Sequence, residues 1–188
     1  MSVITLSRQL GSLGFEIGEE VGRRLGYAVI GRDLINQAAR RAGAPEVALD
    51  MIDELGLLGV KPSAAARRAY VAAVRQVMEE LAGGEHVVII GRGGQVILHD
   101  WPGALHVRVI APAALRAERV AQRHGIGLLA AQAQVEASDR HRQNFLRLYL
   151  QAAIEDSNFY HLILNTAYFS VEQAASLIVC AVKGCIPS

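Results

Sequence analysis

Short apolar runs, each stopped by glycine or a polar loop and followed by helical spacing, constrain this chain more than any other feature. They fall at Val3–Ser7, Tyr27–Ile30, His86–Ile90, Leu105–Ile110 and His161–Leu164. Strands that alternate with helices pair in parallel, and near-continuous apolar strands suit burial on both faces. The expected fold is therefore α/β, three-layered, with a parallel sheet between helices. Ligands of such sheets sit at the strands' carboxyl ends, which here carry the loops Ser7–Gly14, Gly91–Gly94, Ala111-Pro112 and Asn165-Thr166.

Helical spacing and end signals set the intervening elements. Phe15, Ile17, Val21 and Leu25 mark a helix over 14–25, closed by Gly26. Asp33 is the expected N-cap of a helix reaching Arg41, Pro45 opens a short helix over Ala44–Leu55, and Gly56–Lys61 reads as a connector. Ser63 is the expected N-cap of a long helix ending at Gly83-Gly84; its Tyr70, Val71, Val74, Val77, Met78 and Leu81 serve either the core or a homodimer contact. Further helices are expected at Gln95–Leu98, from Pro112 to His124, over Leu128–Leu150 as one helix or two, and from Ser170 to Val182. There is no repeat.

A chain of 188 residues, 52% hydrophobic and 20% charged, suits one domain with a full core. Nineteen basic residues against eighteen acidic give a net charge of +1, which offers no general electrostatic case for nucleic acid or a membrane surface. Anion binding must come from local arginine clusters. Cys180 and Cys185 are expected to be reduced, semi-buried thiols, and two cysteines alone do not make a zinc site. With no signal-like segment and no apolar run of spanning length, the expected location is cytoplasmic.

Several groups could carry chemistry. Gly11-Ser12-Leu13-Gly14 follows the first strand and resembles a phosphate-binding loop, G-x-x-x-x-G-K-[ST], with Gly14 where the lysine would stand. A tight turn needing positive φ is the plainer reading. Arg8 precedes this loop and could fold back onto a phosphate or simply lie on the surface. Gly91-Arg92-Gly93-Gly94 sets an arginine among unhindered backbone N–H groups, a geometry suited to bidentate phosphate recognition, or else forms a glycine turn with a solvated arginine. Arg116, Arg119 and Arg123 fall at about 0°, 300° and 340° on a helical wheel, either a polyphosphate clamp or a charged outer face. Asp139 and Arg142 stand three apart and could pair with each other. The histidines show no metal-ligand spacing, and no Ser-His-Asp or Cys-His set can be assembled. Transfer of a phosphoryl group to an acceptor phosphate needs no strong base, so arginines from several helices could serve it.

In order and spacing, Ser7-Arg8-Gln9-Leu10-Gly11-Ser12, Gly91-Arg92-Gly93, Ala111-Pro112 with Arg116 and Arg119, Asp139 with Arg142, and Leu164-Asn165-Thr166 resemble the cytidylate kinase-like family of divergent P-loop nucleoside monophosphate kinases. The resemblance implies a five-stranded parallel sheet of the P-loop NTPase type in one domain over 1–188. It also implies a helical insertion at about 33–82 and a short lid at about 116–142. It implies ATP with Mg²⁺ as donor and a nucleoside monophosphate, typically CMP, as acceptor. Gly11, Ser12 and Gly14 would lie in the donor-phosphate loop, and Arg116, Arg119 and Arg123 in the helix leading to the lid over ATP. Arg92, Asp139 and Arg142 would bind the acceptor, and Arg8, Arg92 and Arg142 would be the catalytic cations, with no protein metal ligand. The chain departs from the pattern of authentic cytidylate kinases at Leu13, Gly14, Phe15, Gly31 and Gly93, and shares Gly14 with the kinase-like branch. Those departures motivate an alternative: a kinase-like protein that binds nucleotide or a partner without phosphoryl transfer.

Overall fold

The computed structural model describes residues 3–41, 63–84 and 86–185. Within them, β1 (Val3–Arg8), β2 (Ala28–Ile30), β3 (Val87–Ile90), β4 (Ala104–Ile110) and β5 (Leu162–Asn165) form one parallel sheet in the order β2-β3-β1-β4-β5. The helices are α1 (Gly14–Leu25), α2 (Arg32–Arg41), α3 (Ala64–Gly83), α4 (Gly94–Ile97), α5 (Ala113–His124), α6 (Leu128–Phe145) and α7 (Val171–Cys185). This is the expected three-layer α/β fold. The helix and connector expected over 44–61 lie outside the described residues.

The alternation of the strands explains the layers. Ile4, Leu6, Val88, Ile90, Leu105, Val107 and Val109 face Ile17 and Val21 of α1 and Ala174, Ala175, Ile178 and Val182 of α7. Val3, Val87 and Ile89 face Ile35 of α2 and Tyr70, Val74 and Met78 of α3 on the other side. The face of α3 read from its spacing is thus turned into the core. Ser63 caps α3 as its sequence predicts, its Oγ accepting from Ala66 N at 3.1 Å.

Four local expectations are corrected. α2 begins at Arg32, so Asp33 sits inside its first turn, where a carboxylate favours the helix dipole, and not at the cap. Phe15 is 44% exposed, because α1 meets the sheet along Gly14, Gly18 and Gly22; a Cβ on Gly18 or Gly22 would come within 2.6 Å of Ile90 or 2.4 Å of Val29. His86 has φ of 57° and precedes β3, since a left-handed residue cannot continue the ladder. Cys180 is exposed and not semi-buried, for it stands two residues beyond Ile178 and so on the far side of the buried stripe of α7. The segment over 128–150 is one α-helix that widens into a π turn at Leu146–Leu150.

The topology fixes where a ligand could sit. The chain leaves β1 toward β2 on one side and leaves β4 toward β5 on the other. The loops at their carboxyl ends therefore part, opening a crevice at the end of β1.

Candidate functional site

The loop between β1 and α1 is held from three directions at that crevice. Gln9 N–H donates to Val109 O at 3.2 Å, and its Oε1 accepts from Ala111 N at 3.1 Å, tying the end of β1 to the end of β4. The Ser12 hydroxyl is buried and donates to Gln9 O at 2.8 Å. Thr166 Oγ1, from the loop after β5, donates to Ser12 O at 3.0 Å. Gly11 and Leu13 both take positive φ, 76° and 63°. The turn reading of this loop is therefore correct in its backbone. Leu13 adopts a conformation that costs a non-glycine residue about 1–2 kcal/mol.

Two arginines of α5 reach the same loop. Arg116, 3% exposed, donates through Nε to Ala111 O at 2.9 Å and through Nη1 to Leu10 O at 3.4 Å. Its two terminal nitrogens form a bidentate pair with Asp139 of α6 at 3.1 and 2.8 Å. Arg119 donates to Gly11 O at 3.3 Å, Thr166 Oγ1 at 2.9 Å and Thr166 O at 2.8 Å. Burial draws the Arg119 guanidinium below its ordinary value, with the charge of Glu16 opposing. Arg123 pairs with Glu16 in the first turn of α1. Leu10, Leu13, Arg119, Val120 and Arg123 line a cavity of about 390 Å³ between the loop and α5.

Arg8 and Arg92 bring β1 and β3 together. A Cβ on Gly14 would fall 2.6 Å from Arg8 Cβ and 3.4 Å from its Cδ, and one on Gly91 would fall 3.2 Å from Arg8 Nη1. The Arg8 side chain therefore crosses from the start of α1 to the loop after β3. In that loop Gly91, Arg92 and Gly93 all have positive φ, 87°, 55° and 71°. Arg92 is 9% exposed and lies over the Phe145 ring, 5.4 Å from its centroid. Burial raises the Tyr70 hydroxyl above its ordinary value, while the charge and hydrogen bond of Arg92 pull it the other way. Tyr70, Phe145 and Tyr149 pack ring to ring at 5.1 to 6.4 Å. The π turn lays Leu150 over Gly93, whose Cβ would meet Leu150 Cδ1 at 2.1 Å.

Beneath the loops runs a polar layer that pattern reading missed. Gln95 donates to Tyr160 Oη at 3.2 Å, Arg108 donates to the same oxygen at 3.4 Å, and Tyr160 donates to Ile154 O at 3.0 Å. Thr5 Oγ1 and His106 Nδ1 lie 2.7 Å apart across β1 and β4. Polar residues at alternate positions of an otherwise apolar strand, His106 and Arg108, are the signal that could have found this layer.

The structure thus gathers Arg8, Gly11, Ser12, Gly14, Arg116, Arg119 and Arg123 around one loop, and Arg92 on the neighbouring loop. Asp139 meets Arg116, and Arg142 donates from Nε to Ser138 Oγ at 3.2 Å. Among the described residues no group of three histidine, cysteine or acidic side chains could hold a metal ion, and no helix is long and apolar enough to cross a membrane.

Comparison with known proteins joins this geometry to a family. A uronate isomerase from Corynebacterium glutamicum is 29% identical over 149 residues, 79% of this chain and 28% of that protein. A cytidylate kinase from Thermococcus kodakarensis is 36% identical over 87 residues, 45% of this chain and 44% of that protein. The chain therefore spans less than half the length of both relatives. An uncharacterized protein from Eubacterium ventriosum superposes with a TM-score of 0.78 at 16% identity, covering 97% of this chain and 99% of that one. A gluconokinase from Sinorhizobium meliloti superposes with a TM-score of 0.58 at 19% identity, covering 97% and 92%. Likenesses this distant speak for the fold, that of P-loop kinases. The sequence pattern of one family matches residues 3–168, from the first residue of β1 to the loop beyond β5, and with it every loop that builds the crevice. The chain belongs to the Cytidylate kinase-like family.

Proposed function

We propose that this chain binds ATP at the loop over Gln9–Gly14 and transfers its γ-phosphoryl group to CMP or a related nucleoside monophosphate on the side of Arg92. The observation that carries this reading is the convergence of the β1 and β3 loops on one crevice, with Arg8 crossing between them. Family membership supports a kinase-type transfer.

The donor side fits a nucleotide. Leu10, Leu13, Arg119 and Arg123 line a cavity of about 390 Å³, apolar and cationic together, which suits a base with an anionic tail. Of the oxygen donors by the loop, the Ser12 hydroxyl is engaged with Gln9 and the Glu16 carboxylate with Arg123. Mg²⁺ would therefore ride on phosphate oxygens and water, as that ion often does. On the acceptor side, Arg92 holds the phosphate. Arg142 stands about one helical turn before Phe145 in α6, and Asp139, held by Arg116, stands a turn before Arg142. An acceptor phosphate oxygen attacks the γ-phosphorus, the bond to the β–γ bridging oxygen breaks, and ADP leaves. The acceptor phosphate is ionised near pH 7, so the arginines need only position and neutralise.

Incubation with Mg-ATP and a panel of nucleoside monophosphates is expected to release ADP with at least one of them. A second reading, binding without transfer, draws on the strained Leu13 and the Glu16–Arg123 pair at the loop. It predicts a nucleotide-dependent rise in Tm and no ADP across the whole panel.

A further inference from the structure

The P-loop pattern places a lysine at its seventh position and a glycine at its first. Counting back from Gly14, at the lysine position, the first position is Arg8. The two departures are thus a matched exchange: the cation is missing where it is expected and present where a glycine is expected. The structure shows why they go together. A side chain at 14 would start 2.6 Å from Arg8 Cβ, a distance that no rotamer of the arginine relieves, because Cβ is fixed by the backbone. An arginine at 8 and a lysine at 14 exclude each other.

Resting on the nucleotide reading above, we infer that Arg8 takes over the charge of the absent loop lysine and holds the donor's terminal phosphates from the opposite wall of the crevice. Its stem passes over Gly14, and its Nη1 lies close enough to Gly91 that a Cβ there would be 3.2 Å away. The guanidinium is therefore delivered to the junction of the β1 and β3 loops, at Gly91. A lysine rooted at 14 would reach up from the helix; Arg8 comes from the last position of β1, on the strand side. Gly14 leaves room for the base of this side chain, and Gly91, whose φ of 87° itself calls for glycine, lies against its end. A guanidinium there can bond two phosphate oxygens at once, which an ammonium does less well. The loop has exchanged the position of its cation without losing it.

Calorimetric titration with ATP and with adenosine tests this on four proteins: wild type, Arg8→Gly, Gly14→Lys and the double variant. Arg8→Gly is expected to weaken ATP about 10- to 100-fold, the span of a charged hydrogen-bonding group, and to leave adenosine within about twofold. Gly14→Lys alone is expected to lower Tm, because its Cβ meets that of Arg8. The double variant, with the clash removed and a lysine on the loop, is expected to recover most of the ATP affinity. Arg8→Gln keeps the stem and removes the charge, so it answers should Arg8→Gly not fold. ATP affinity unchanged within about twofold in the neutral variants overturns the assignment, as does equal loss of ATP and adenosine. So does a folded double variant that binds ATP no better than Arg8→Gly. If wild type itself binds no ATP at millimolar concentration, the nucleotide reading fails and this inference with it. If wild type binds and Arg8 proves indifferent, only this inference fails.

Discussion

Gly11 and Asp139 are the residues whose roles can be tested most directly by stability alone. At Gly11, φ is 76° and a Cβ would lie 2.6 Å from the Arg116 carbonyl oxygen, a backbone atom with no freedom to turn aside. Gly11→Ala is expected to lower unfolding free energy by at least about 2 kcal/mol, joining left-handed strain to that clash. Chemical denaturation would read it as a lower midpoint with the slope unchanged. Asp139→Ala would leave Arg116, almost wholly buried, without its carboxylate. Breaking one side of a buried pair costs about 3–5 kcal/mol, and the lower end is expected here because Asp139 keeps part of its surface in water. The same denaturation measurement checks it. The sequence offered Asp139 and Arg142 as partners because they stand three apart; the structure gives Asp139 to Arg116, twenty-three residues earlier, because α5 and α6 pack side by side through Ala117, Val120, Ala131 and Val135. Such a pairing depends on the angle between two helices, and residue spacing does not contain it.

Between elements, the β1–β4 pair carries a pH dependence. His106 of β4 is buried against Thr5 of β1 and stacked on His161 at 4.9 Å, with His99 beyond at 6.4 Å; its Nε2 is buried without a hydrogen-bond partner. Burial first, then the charge of His161, push it from 6.5 down to about 4. Between those values the unfolded chain binds a proton that the folded chain does not. Stability is therefore full above pH 6.5, falls as pH drops from 6.5 to about 4, and levels off below. The whole fall is expected to be about 3 kcal/mol, at 1.36 kcal/mol per pKa unit. Urea titrations at pH 7.5, 6 and 5 would check it, and His106→Leu should flatten the slope across that window. The strand itself was readable as an apolar run. The partner of its histidine was not, because Thr5 lies 101 residues away and meets it only through the register Thr5↔His106.

For the whole molecule, a ligand that binds only the folded state should raise stability by RT ln(1 + [L]/Kd), about 2.7 kcal/mol at one hundred times Kd. Mg-ATP is thus expected to raise Tm with concentration, and adenosine to raise it less, since only the nucleotide reaches the arginines around the loop. A thermal shift series checks this apart from turnover. No shift with either ligand would sink both the transfer and the binding-only readings. The two are then separated by ADP release, which the fold alone does not decide, because P-loop kinase architecture positions the loops and the side chains on them set the chemistry.

What the amino-acid sequence determined by itself was the local part: strands from apolar runs, helix ends from Ser63 and Gly26, and the loops that line the crevice. These follow from the periodicity of side chains along one element, which is a property of neighbouring residues. Tertiary structure alone decided what the arginines do. Arg116 turns inward to Asp139 and the loop carbonyls, Arg119 ties Gly11 to Thr166, Arg92 lies on Phe145, and Arg8 crosses above Gly14 to Gly91. An arginine side chain reaches several ångströms to groups that distant parts of the chain bring beside it, and its partner is fixed by packing between elements. A glycine in place of a lysine at position 14 is therefore ambiguous in the sequence, and the path of Arg8 gives it a physical cause.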